Sequence, residues 1–144
     1  IMKRFFAIIA IAMASLSVVR ADDRPVSFNQ LPAAAQSFIS MNFPDDSVSY
    51  ATKDDDLIRP DYSVVLVSGM KIKFDHDGTM EQIGAMKGVP ADLVPVQIMD
   101  YVKAHYPGAF VTEYEIGRRN YEVKLSNRLE LKFNKGFILV EIDD

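Results

Sequence analysis

The sequence predicts an α+β fold: a tandem duplication of a helix packed on a four-stranded antiparallel sheet, preceded by a cleavable export signal. Three observations predict it. The N-terminus is basic and then uniformly apolar, a proline-bounded segment occurs twice at a constant offset, and the apolar period changes to two after each copy.

Met2-Lys3-Arg4 supplies a positive start, and Phe5 to Ala14 contains only Phe, Ala, Ile and Met. Val19-Arg20-Ala21 then offers a cleavage site before Asp22, so residues 1–21 read as a signal peptide whose apolar run is too short to span a bilayer. Residues 22–144 are expected to form a single domain of two repeats, about 28–88 and 89–144. The chain has no cysteine. No lipid-modified cysteine is therefore expected after the cleavage site, which argues against a lipoprotein anchor, and stability in an oxidising compartment must come from burial. Beyond residue 21 the charge is 13 basic against 20 acidic residues, a net −7 without any Lys/Arg block. That balance argues against nucleic acid and against attraction to an anionic membrane.

The segment Leu31-Pro32 to Phe43-Pro44 aligns without gaps on Val94-Pro95 to Tyr106-Pro107, an offset of 63 (94 − 31). Each proline pair brackets a helix. Pro32 and Pro95 suit the first turn, and Pro44 and Pro107 disfavour helix at the residue before them. The helices should end near Asn42 and His105, and Ile98, Tyr101, Val102 and His105 or Tyr106 form one apolar stripe.

Downstream the offset becomes 59 (121 − 62): Tyr62-Ser63-Val64-Val65-Leu66 matches Tyr121-Glu122-Val123-Lys124-Leu125, and Met70 to Asp75 matches Leu129 to Asn134. Gly78 and Gly136 are expected to close the two blocks. Strands are predicted at about 47–51, 62–67, 70–75 and 79–83, then 110–116, 120–125, 129–133 and 137–142. Ser68-Gly69 and Asn127-Arg128 stand where two-residue hairpin turns belong, and Asp77-Gly78 suits a type I′ turn.

The pattern aliphatic-Pro, helix, aromatic-Pro, Tyr-x-Val-x-Leu, tight turn, Ile/Leu-x-Phe-Asp/Asn resembles the PepSY-like family of β-lactamase-inhibitor-like exported proteins, over about residues 28–144. The resemblance implies a tandem helix-on-sheet architecture like that of β-lactamase inhibitor protein. It carries no inhibitory residue over to a position in this chain.

Candidates for chemistry are few. His76 and His105 are the only histidines, and zinc without cysteine would need both with carboxylates. Asp54-Asp55-Asp56 with Asp61, and Asp75-His76-Asp77-Gly78, suggest calcium. The second lacks the carboxylate that an EF-hand places six residues after the glycine, since that residue is Gly84, and a tight turn accounts for it better. Ser68 lacks a G-x-S-x-G context and reads as a turn residue. No cofactor and no catalytic or metal residues are therefore expected.

Surfaces remain. If helices cover one sheet face, the other presents Lys71, Lys73, Glu122, Lys124, Glu130 and Lys132 as candidate partner-binding residues, with Tyr50, Tyr62, Tyr114 and Tyr121 as aromatic anchors where exposed, although the matched strand positions of Tyr62 and Tyr121 favour the core. The expected function is a non-catalytic periplasmic or secreted binding protein for an unidentified protein or peptide, in the inhibitor-like form restraining an exported hydrolase. The alternative is a small-ligand or cation-binding module. Oligomeric state is left open by the sequence.

Overall fold

The computed structural model describes residues 23–55 and 58–144. The predicted signal peptide, 1–21, lies outside them, as does Asp56 of the aspartate loop. Among the described residues, nine strands and two α-helices make the protein α+β, and the strand pairings are antiparallel. Among the described residues no helix is long and apolar enough to cross a membrane. Two compact units divide between Ile83 and Gly84.

In the first unit β1 (Asp23–Val26) leads through a short 3-10 turn into α1 (Ala33–Asn42). Four strands follow: β2 (Val48–Asp54), β3 (Tyr62–Leu66), β4 (Lys71–Phe74) and β5 (Met80–Gly84). Strand β1 was not expected. It pairs with β2 along Asp23–Asp54 to Val26–Ala51, and its Pro25 is tolerated because a terminal strand needs hydrogen bonds on one side only. Pro32 is the residue before α1 rather than within it, and its carbonyl accepts the first helical N–H, from Gln36.

The core of this unit is one helical stripe against one sheet face: Leu31, Ala35 and Ile39 with Val64, Leu66, Ile72 and Phe74. Phe38 packs edge-on against Phe74, with centroids 5.6 Å apart at 78°. The 75–79 loop presses on the start of α1. A Cβ on Gly78 would lie 2.8 Å from the Ala35 nitrogen and 2.9 Å from Pro32 Cβ, and Gly78 has φ +87°.

The second unit holds α2 (Val96–His105), β6 (Val111–Ile116), β7 (Asn120–Leu125), β8 (Glu130–Asn134) and β9 (Leu139–Asp143). Its core uses Val94, Ile98 and Val102 against Val123, Leu125, Leu131 and Phe133. Tyr101 meets Phe133 edge-on at 5.5 Å and 82°. In the predicted stripe His105 is exposed and stacks on Tyr101 at 4.1 Å, while Tyr106 is the partly covered residue.

The hairpins differ from the expected two-residue turns. Leu66 N–H donates to Met70 O and Gly69 N–H to Leu66 O; Leu125, Leu129 and Arg128 repeat the arrangement. These are three-residue loops whose last residue, Gly69 or Arg128, takes positive φ (+95° and +73°). The 75–79 loop follows the same plan, so Asp77-Gly78 is not a type I′ pair: Asp77 is absent from the left-handed region and only Gly78 enters it. Its counterpart in the second unit is Phe137 at φ +64°, not Gly136. Asp75 Oδ1 accepts the N–H groups of Asp77 and Thr79, and Asn134 Oδ1 those of Gly136 and Ile138.

Candidate functional site

The outer face of the second unit is built by register. Strand alternation sends Val123, Leu125, Leu131 and Phe133 inward and their neighbours outward. A bulge at Thr112 and another at Val140 shift the phase of β6 and β9, so that two rows of charge cross all four strands. One row reads Glu113–Lys124–Glu130–Asp143, and the other Glu115–Glu122–Lys132–Glu141. Six carboxylates thus face two ammonium groups, and the rows have a net negative charge.

The second row is tightly held. Lys132 Nζ lies 3.4 Å from Glu122 and 3.6 Å from Glu141, with side-chain exposures of 16%, 18% and 15%. In the first row the Glu130 carboxyl is pushed up to about 7, chiefly by burial. Lys124 opposes that rise, and Glu113, Glu122 and Asp143 reinforce it. Asp143 is 6% exposed, and its Oδ2 finds no hydrogen-bond donor among the described residues.

The other two predicted site residues, Lys71 and Lys73, lie on β4 of the first unit. There the equivalent rows read Tyr50–Val65–Lys71 and Thr52–Ser63–Lys73. Lys73 pairs with Asp61 at 3.4 Å. Glu81 of this unit is raised by burial and then by Asp61, with Lys73 opposing. The β2–β4 rows of the first unit thus carry only Lys71 and Lys73, with Asp61 and Glu81 near Lys73, where the rows of the second unit are acidic.

Tyr114 is not an exposed anchor. It is 3% exposed, and burial pushes its phenol up to about 12. Tyr62 is also buried. Tyr121 is partly covered: Phe137 stacks on it at 5.2 Å and 1°, and Lys135 Nζ lies 4.0 Å from its centroid. Tyr50 is half-buried.

Ser68 Oγ donates to Asp46, which lowers the Asp46 carboxyl below its ordinary range, and the pair fastens a hairpin. His76 reaches Asp77 at 3.3 Å within its loop. Ligand atoms of Asp75, His76 and Asp77 lie within 4.8 Å of one another. In the 54–61 loop, Asp55 is held by Arg24 at 3.1 Å and Asp61 by Lys73, so these acids already carry cations of the chain itself. A shallow open cleft of about 570 Å³ in the second unit is lined by Pro95, Val96, Met99, Lys103, Tyr114 and Ile116.

Sequence reasoning reached Glu122, Lys124, Glu130 and Lys132 through alternation. It missed Glu113, Glu115, Glu141 and Asp143, whose strands carry the bulges. A run of acids at every second position, Glu113 with Glu115 and Glu141 with Asp143, was the available signal.

The chain matches the family described as "Putative beta-lactamase-inhibitor-like, PepSY-like" twice, over residues 17–80 and 60–141. No curated protein matches it at a significant level. Among solved structures, a DUF2874-family protein from Bacteroides vulgatus, described as periplasmic, is 38% identical with a TM-score of 0.81, covering 86% of this chain and 98% of its own. A protein from Bacteroides thetaiotaomicron, described as a candidate calcium-regulated periplasmic protein, is 40% identical with a TM-score of 0.82, covering 85% and 98%. Another Bacteroides vulgatus protein, described as periplasmic and of unknown function, is 31% identical with a TM-score of 0.80, covering 85% and 99%. On this likeness in sequence and in fold, the chain belongs to the PepSY-like, beta-lactamase-inhibitor-like family, and it is a periplasmic protein.

Proposed function

We propose that the protein is a non-catalytic binding protein of the periplasm, whose outer sheet face docks another protein, in the inhibitor-like form a hydrolase of the same compartment. The observation that carries this reading is the ordered charge on the second unit, with Lys132 fixed between Glu122 and Glu141 at low exposure. Charges held in place before encounter favour specific docking, because little side-chain entropy remains to be lost. Glu122, Lys124, Glu130 and Lys132 are the contact residues on the second unit, and Lys71 and Lys73 are the candidates on the first unit taken by itself. Pull-down from envelope extract should recover one stoichiometric partner, lost with Lys132→Glu. Recovery of none under several salt conditions tells against the reading, and titration against a purified β-lactamase tests the inhibitor form.

The scaffold fits descent from one duplicated unit, with repeats at about 28–88 and 89–144, each a helix on four strands. Phe38–Phe74 and Tyr101–Phe133 repeat one edge-on geometry, and bulges fall at Ser49 and Thr112, 63 positions apart (112 − 49).

A second reading, a cation-binding module, is favoured by the clustered ligand atoms of Asp75, His76 and Asp77 and by the description of the 40% identical relative as calcium-regulated. Calcium bound to the native state would raise the melting temperature, and Asp77→Asn would abolish the rise. An unchanged melting temperature in millimolar calcium removes it.

A further inference from the structure

We propose that the Glu130–Asp143 end of the first charge row receives an arginine side chain from a basic segment of a partner protein. This rests on the binding-protein reading above and specifies the chemistry of the partner. Paired residues on adjacent antiparallel strands share a face, so Asp143 stands beside Glu130 on the outer side of the sheet. One oxygen of Asp143 accepts the Asp144 N–H at 2.9 Å. The other, Oδ2, is buried without a donor among the described residues. A buried carboxylate oxygen left without a donor is unfavourable, and an incoming donor relieves it.

Lys124, the lysine of this row, sits on β7, two strands away from Asp143. Lys132 is engaged with Glu122 and Glu141 in the other row. Glu130 is half-buried, and its carboxyl is raised by burial and by Glu113, Glu122 and Asp143, with Lys124 opposing. The place therefore has negative charge in excess and a missing donor. A guanidinium supplies two parallel N–H groups to two carboxylate oxygens, which an ammonium point charge cannot do with the same geometry. The first unit presents Val65 and Lys71 where the second has Lys124 and Glu130, so its face has no such place.

The test uses the chain from residue 22 and fluorescein-labelled hexa-arginine and hexa-lysine peptides, read by anisotropy at low salt. Hexa-arginine should bind more tightly than hexa-lysine. Asp143→Asn combined with Glu130→Gln should weaken it by about tenfold or more, the loss expected for one charge-assisted pair. Asp92→Asn, in the 3-10 turn Ala91–Leu93 beside α2 and the cleft rather than on the charge rows, should leave affinity unchanged, and melting curves of all variants confirm folding. Equal binding by the double variant, an equal loss with Asp92→Asn, or no preference for arginine overturns the proposal. So does displacement of the peptide by millimolar magnesium at matched ionic strength, which would mark a site for divalent cations. If envelope pull-down recovers a partner whose capture survives the double variant, this inference falls and the binding-protein reading stands. Peptide binding with no partner recovered tells against that reading instead.

Discussion

Replacing Glu130 by Gln should stabilise the protein at pH 8 and leave it nearly unchanged at pH 4. The Glu130 carboxyl lies at about 7 in the folded protein against an ordinary 4.5, with burial as the largest cause. A carboxyl raised by folding contributes stability that is full below the unfolded value and is lost as pH rises through the folded value. Linkage over that interval has a ceiling of about 3 kcal/mol. Glu130 is half-exposed and has Lys124 beside it, so solvent screening reduces the effect to about 1 kcal/mol. Glutamine cannot ionise, so the variant escapes this loss above pH 7. For a chain of this length the gain corresponds to roughly 3–5 °C in melting temperature. Thermal melts followed by circular dichroism from pH 4 to 9 at low salt measure the difference between variant and parent. It should open between pH 5 and 8. A difference that is flat with pH, or a destabilised variant at pH 8, refutes the argument.

Three further substitutions probe the frame. Gly78→Ala places a methyl against Ala35 and Pro32 at positive φ, and should lower stability by about 2 kcal/mol in chemical denaturation. Arg128→Gly relieves a non-glycine residue at φ +73° and should raise stability by up to about 1 kcal/mol. Phe133→Ala removes a ring that is 1% exposed and packed on Tyr101, and should cost about 3–5 kcal/mol in the same assay.

Much of the scaffold was legible because proline, aromatic and aliphatic positions are dictated by local physics that acts over a few residues. The helices between Pro32 and Pro44 and between Pro95 and Pro107 follow from helix geometry alone. What could not be read depends on register. The bulge at Thr112 breaks the alternation starting at Val111, so Tyr114 turns inward and Glu113 and Glu115 outward. The bulge at Val140 likewise brings Glu141 and Asp143 onto the face of Lys132 and Glu130. Turn chemistry misled in another way. Gly136 is expected to close its block, but in the second unit the residue that takes the left-handed conformation is Phe137, held by stacking on Tyr121. Strand β1 was missed because Asp23-Arg24-Pro25-Val26 has neither an apolar period nor β-branched density, and it forms only because β2 presents hydrogen-bonding groups to it.

The outer face of the second unit is the proposed docking surface. Site-specific photo-crosslinking from position 122, in the exported protein inside intact cells, tests this most directly. A single discrete adduct with one partner, absent when the crosslinker replaces Asp92, is the predicted result. No adduct from position 122, or the same diffuse set of products from both positions, would contradict it.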